Sequence, residues 1–230
     1  MRVCLASTSP ARSMLLQQFG IRPLTVAPAV DEEAVIEAVE AAEGRTLAPD
    51  EHVLLLARRK AAEVAARLVD DIPDFDGIVI GGDSMFELAG EVLGKPHTPE
   101  VATARWRAMR GRTGVLHSGH AVVRVQPGAA SREVHAVAEA SVTFAADVSD
   151  AEIDTYVDSG EPLQVAGAFT VDSLGGAFIE RVEGDPSTVV GMSLSTLRHL
   201  VRALDVEWTA LWNTVDPSLT PPEDARPGLS

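Results

Sequence analysis

IVIGGDSMFELAGEVLGKP, residues 78–96, reads as a buried strand followed by a hairpin. GIVIGG (77–82) is apolar or glycine throughout, the pattern of a strand covered on both faces. SMFEL and EVLGK then flank Ala89-Gly90, two residues suited to a tight turn. In that register Asp83 and Lys95 return to the same end of the hairpin. The stretch also holds one of only two lysines in a chain with 19 basic residues; the other is Lys60.

Working outward, RVCLA (2–6) reads as a short buried strand. STSPARSMLLQQFG carries a helix start, with Ser9 as N-cap, Pro10 in the first helical position and Gly20 at the stop. Ala11, Leu15 and Phe19 would form its apolar face. PLTVAPAV (23–30) is strand-like and ends at the acidic run Asp31-Glu32-Glu33. The periodicity predicts a helix over 50–69, with Val53, Ala57, Ala61, Val64 and Leu68 facing inward. Further helices are predicted near 98–109, from the capping box SDAE (149–152) to Gly160, and over 193–204. Strands are predicted at 120–125, 133–144 and 175–184. The alternation of strands and helices with hairpins argues an α/β fold with a mixed sheet. One domain over 1–212 and a Pro-rich, disordered tail over 213–230 complete the organisation.

The net charge is −15, and 46% of residues are hydrophobic. Such an acidic chain lacks the basic face that a nucleic-acid polymer requires. A small polyanion still fits if a few cations converge in one cleft or a metal ion bridges. No apolar run reaches the roughly 18 residues of a membrane span, and the N-terminus lacks a signal-peptide core. The expectation is a cytoplasmic protein without membrane contact. Cys4 is the only cysteine, which excludes an intrachain disulfide and a cysteine metal cluster; within VCLA it reads as a small buried hydrophobe.

Ser7, Thr8 and Ser9 precede a helix start, and Arg12 lies in its first turn. Free N–H groups, the helix dipole and a guanidinium suit a phosphate, while an ordinary N-cap with a surface arginine accounts for the same residues. Lys60 falls on the inward side of its helix, where an ammonium either snorkels to water or meets an anion. Asp83, at the end of a buried strand, suits a metal ligand or general base, and equally a turn. Asp31, Glu32 and Glu33 offer oxygens to a magnesium-like ion or form a solvated acidic turn. AGEVLGKP is not a phosphate-binding P-loop: Ala89 replaces the first glycine and Pro96 the hydroxyl residue. HSGH (117–120) reads as a loop-to-strand junction, and no serine–histidine–acid triad is recognisable. Lysine is a compact point charge and arginine a planar fork. Two lysines kept in an arginine-rich chain hint at two positions that need an ammonium.

Collinear fragments over about 3–204 resemble the Maf family of nucleoside triphosphate pyrophosphatases. They are LASTSPAR, VDE (30–32), LARRKA (56–61), GGDS with GKP, MRGRTG, SGHAVV, YVDSGEPLQVAGAF and VEGDPSTVVGMSL. The resemblance implies a mixed, elongated α/β sheet in two lobes around a nucleotide-binding cleft, of the Maf and inosine triphosphate pyrophosphatase type, with homodimers common. It implies hydrolysis of a nucleoside triphosphate between the α and β phosphates, giving a monophosphate and pyrophosphate, with a divalent cation (Mg or Mn). By position, Asp83 would activate water, Lys60 and Lys95 would hold the triphosphate, and Ser7, Ser9 and Arg12 would bind phosphate. Glu32 and Asp83 would hold the metal. Ala11, Ser84 and Asp172 fall on base-selecting positions and depart from the arginine, threonine and glutamine found there in the family. Those departures argue against a dTTP/UTP preference, and an acid at 172 suits donors on a purine edge. A non-catalytic nucleotide-binding regulator linked to cell division is the alternative. Asp83 together with both lysines favours catalysis, because a pure binder needs no base.

Overall fold

The computed structural model describes residues 1–213. Along the chain run β1 (Arg2–Ala6), α1 (Pro10–Gln18), β2 (Leu24–Val26), α2 (Glu32–Glu43), α3 (Pro49–Asp71), β3 (Gly77–Leu88) and β4 (Glu91–Leu93). Then follow α4 (Pro99–Met109), β5 (Thr113–Val125), β6 (Arg132–Phe144), α5 (Asp150–Asp158), β7 (Ile179–Gly184), α6 (Pro186–Val190) and α7 (Leu194–Ala203). The strands make one mixed sheet in the order β2-β1-β3-β5-β6-β7, with β4 paired to β3. β1 is parallel to β2 and β3; the remaining pairs are antiparallel. The expected disordered tail lies outside the described residues apart from residue 213.

The long strands β3, β5 and β6 run through two lobes. In the first, α3 covers one face through Ala57, Ala61, Val64 and Leu68 against Cys4, Val79, Ala121 and Val123. α1 and α7 cover the other through Leu16, Leu197 and Val201 against Leu5, Ile78, Ile80 and Val122. In the second lobe Phe86, Trp106, Phe144, Tyr156, Phe169 and Phe178 pack edge to face. This geometry is favourable for aromatic quadrupoles. The buried Trp106 indole N–H donates to the Ala168 carbonyl at 2.7 Å.

Several sequence expectations need correction. GIVIGG and SMFEL are one continuous strand, so Asp83 lies inside β3 and not at its end. The cause is β5, which pairs with β3 from Gly77↔Val125 through Asp83↔Gly119 to Glu87↔Val115. For the same reason HSGH is strand interior, not a junction. PLTVAPAV forms a strand only over Leu24–Val26. The acidic run opens a helix: Asp31 caps α2, its Oδ1 accepting from the Ala34 amide at 3.1 Å. Phe19 is exposed, and α1 packs through Leu15 and Leu16. Residues 174–178 form a 3₁₀ turn before β7, and Trp208–Leu211 another after α7, with Leu211 buried.

Close approach of α3 to the sheet depends on two glycines. A Cβ on Gly81 would lie 2.3 Å from the Ala57 carbonyl oxygen, and one on Gly119 2.2 Å from that of Val53. Neither position admits a side chain while the helix stays where it is. Lys60 comes one turn beyond Ala57 and two beyond Val53, and the seating of the helix fixes its position.

Candidate active site

β3 has one edge fully taken by β5. Its other edge pairs with β1 over Gly77–Gly81 and with β4 over Phe86–Leu88. Residues 82–85 therefore have no strand on that side, where the parallel partner ends and the hairpin partner has not begun. The gap opens at the carboxyl end of β1, the usual place for ligand chemistry in sheets of this kind. Successive side chains alternate between faces. Asp83 accordingly points to the face of α3, and Ser84 to the face of α1.

On the α3 face, Lys60 Nζ lies 2.7 Å from Asp83 Oδ1 and 2.9 Å from Glu32 Oε1. Lys60 is buried (6% exposed), whereas the Glu32 side chain is half open to solvent. Of the two sequence alternatives for Lys60, it meets anions and does not snorkel. Glu32 stands in the first turn of α2, where the helix dipole favours a carboxylate.

On the α1 face, Ser9 caps the helix as expected, its hydroxyl accepting from the Arg12 amide at 3.5 Å. Arg12 is not a surface arginine. Its Nε donates to the Gly191 carbonyl at 2.9 Å, Nη1 to Ser7 Oγ at 3.3 Å and Nη2 to Ser84 Oγ at 3.0 Å. Three of its five N–H donors are thus committed to the protein, which fixes the fork beside the gap. Burial lowers the Arg12 guanidinium, and the charges of Asp83 and Glu32 act in the opposite sense. Ser84 Oγ and Ser118 Oγ stand 3.1 Å apart, and both reach the Gly191 carbonyl, at 3.2 and 3.3 Å.

Other expected residues are less engaged. Ala11 is half-buried in the first turn of α1. Lys95 follows β4 by two residues and is exposed; pairing stops at Phe86↔Leu93, and no ion pair holds the ammonium among the described residues. Its loop is nevertheless pinned: Gly94 O accepts from Gly167 N at 3.3 Å, and His97 N donates to Leu163 O at 3.0 Å. Asp172 is exposed in the turn between Thr170 and Leu174. Among the described residues no group of three or more His, Cys, Asp or Glu is arranged to hold a metal ion.

A family model described as Maf-like protein matches residues 2–204. The chain belongs to the Maf family. A nucleoside triphosphate pyrophosphatase of Leifsonia xyli subsp. xyli is 59% identical over 219 residues, covering 95% of this Maf chain and 100% of that one. One from Salinispora tropica is 51% identical over 213 residues, covering 93% and 88%. Among solved structures, the Staphylococcus aureus Ham1 protein matches at 11% identity with a TM-score of 0.30, over 64% of this chain and 73% of that one. A likeness of that size carries no argument about the site.

The Maf chain also uses residues that the sequence reading passed over. The Gly191 carbonyl under Arg12 also accepts from Ser84 and Ser118, and His120 and Asp185 hold the loop that carries it. Asp185 accepts from the amides and hydroxyls of Ser187 and Ser195 and from the Ser193 hydroxyl, which locks the 185–195 loop. The Ser193 amide donates to His120 Nε2 at 2.8 Å. Burial first, then Arg12, pull the His120 imidazole down to about 4, so it is neutral and able to accept. The signal for this arrangement was present in SGHAVV and in VEGDPSTVVGMSL. Its working group at Gly191 is a backbone carbonyl, which no side-chain pattern reveals.

Proposed function

We propose that this chain is a nucleoside triphosphate pyrophosphatase, acting through one catalytic domain over residues 1–212. The observation that carries the proposal is the pairing of Lys60 with Asp83 and Glu32 at an open strand edge, beside an arginine whose fork is fixed. An ammonium and a guanidinium together neutralise phosphate charge. An acidic protein gains little from such a cluster unless it meets an anion.

Water oxygen bonds to the α phosphorus, and the bond from that phosphorus to the oxygen bridging to the β phosphate breaks. Pyrophosphate leaves with the electron pair, and the proton of the water passes to the Asp83 carboxylate. Lys60 and Arg12 hold phosphate oxygens in line with the attack, with Lys95 reaching in from the loop after β4. Transfer at phosphorus is accelerated chiefly by such positioning and charge neutralisation.

Asp83 and Glu32 present two hard oxygens already gathered about one cation, the ammonium of Lys60. That donor set fits Mg²⁺ or Mn²⁺, which Asp83 and Glu32 would hold. Bound there, the ion would supply further neutralisation of the triphosphate. Asp172, with Ala11 and Ser84, is the base-facing set; an exposed carboxylate at 172 favours a base edge that presents N–H donors.

The test is pyrophosphate release from a panel of standard and modified nucleoside triphosphates with Mg²⁺, with Mn²⁺ and with chelator. Metal-dependent release with one preferred base is the expected result. Nucleotide binding without release from any member would replace the enzyme with a binding regulator.

A further inference from the structure

Glu161 is a carboxylate at the centre of five donors, none of which belongs to the cluster around Asp83. Its Oε1 accepts from Tyr156 Oη at 2.9 Å, from Gly175 N at 3.0 Å and from Thr170 Oγ1. Its Oε2 accepts from Ser173 Oγ at 2.7 Å and Leu174 N at 3.2 Å. Four of those five donors lie in residues 170–175, so one side chain organises the whole turn. Burial alone would raise this carboxyl, but the hydroxyls of Thr170 and Ser173 and the Gly175 amide bring it down to about 2. It is therefore charged near neutral pH.

The turn closes tightly on that carboxylate. A Cβ on Gly175 would lie 2.5 Å from Tyr156 Oη, and one on Gly176 2.6 Å from the Val171 carbonyl oxygen. Asp172 sits at the crest, exposed, two residues from Thr170 and one from Ser173. The segment that begins at Glu161 also touches the Lys95 loop, through Leu163 O and Gly167 N. One stretch of chain thus sets both the crest with Asp172 and the loop with Lys95.

We infer that Glu161 is a positioning residue for base selection: it holds residues 170–175 so that Asp172 meets the base, and does not itself touch the substrate. This rests on the reading of Asp172 as base-facing. Glutamine at 161 keeps the shape but turns one acceptor oxygen into a donor facing donors, which leaves amides or hydroxyls of the turn unpaired. Among the described residues Glu161 makes no hydrogen bond to Asp83, Lys60 or Glu32, so that cluster keeps its own contacts.

The test compares Glu161→Gln and Asp172→Asn with the parent protein. kcat and KM are measured for the preferred and the poorest triphosphates, well below the unfolding temperature of each variant. For Glu161→Gln the ratio of kcat/KM between the two substrates is expected to fall about tenfold or more, mainly through KM, as lost hydrogen-bond discrimination does. kcat for the preferred substrate should stay within about threefold, because transition-state contacts to the phosphates are kept. A purely structural role would instead scale all substrates alike, and that result overturns the inference. So does an unchanged ratio in Glu161→Gln when Asp172→Asn shifts it. If Asp172→Asn leaves the ratio unchanged, the reading of Asp172 is wrong and the inference falls with it. Should Glu161→Gln not fold, the paired variant Thr170→Val with Ser173→Ala removes two donors and is read by the same ratio.

Discussion

Lys60 on α3 and Asp83 on β3 lie 23 residues apart in the chain and meet at 2.7 Å, with Lys60 almost out of water. Such a pair costs desolvation on both sides, so it is weak evidence of a stabilising device. It is better explained as a poised arrangement, with base and cation held together until a polyanion enters between them. Replacing Asp83 by Asn should lower kcat by about 10²–10⁴, the usual contribution of a general base, while KM moves only a few-fold. Steady-state kinetics with direct nucleotide binding checks this; normal turnover would remove Asp83 from the mechanism.

Lys60 should not tolerate arginine. The site is a narrow place between α3 and β3, and the planar fork cannot occupy the volume of an ammonium. Lys60→Met should leave Asp83 without its counter-ion and cost about 3 kcal/mol of stability, as loss of one partner of a buried pair does. Urea unfolding of the variant measures the cost.

Arg12 works through three bonds to protein, and its direction depends on all of them. Arg12→Lys keeps the charge and loses the fork, so kcat/KM should drop by about tenfold or more. Ser84→Ala removes one of the three acceptors and should produce a smaller loss of the same kind. Kinetics on both variants at one pH gives the order.

Much of this arrangement was legible in the sequence, for physical reasons. The N-cap at Ser9, the inward face of α3 with Lys60, and the Ala89-Gly90 turn are local patterns that depend on nearest neighbours, and they stand as read. The misreadings share another cause. Asp83 and HSGH look like the ends of strands because they are polar and glycine-flanked. They are strand interior because β3 and β5 pair continuously from Gly77↔Val125 to Glu87↔Val115, a long-range fact that propensity does not carry. Helix α2 was hidden because its acidic start resembles a solvated turn. Lys95 was marked by the scarcity of lysine, whereas Asp172, an exposed side chain on a turn, was found only through the family pattern.

His120 makes stability depend on pH in a defined direction. Its imidazole is held at about 4 in the folded protein, below its ordinary value of 6.5. The unfolded chain therefore binds more protons between those two values, and stability is complete above 6.5 and declines as pH falls toward 4. The size of the effect is on the order of 3 kcal/mol. Thermal unfolding across that window should show the decline, and His120→Gln should flatten it.

Gly119 is where the helix carrying Lys60 meets the sheet. Gly119→Ala should push α3 outward and cost about 2 kcal/mol or more, the scale of overpacking in a close-packed core. Loss of activity should exceed the loss of folded protein, because Lys60 moves with the helix. Circular dichroism and kinetics on one preparation separate the two effects.

The identity of the products tests the central claim most directly. Phosphorus NMR of the preferred triphosphate after turnover with Mg²⁺ should show nucleoside monophosphate and pyrophosphate in equal amounts, with both forming about 10²–10⁴ times more slowly in Asp83→Asn. Nucleoside diphosphate with orthophosphate would place the cleavage at the terminal bond and contradict the account.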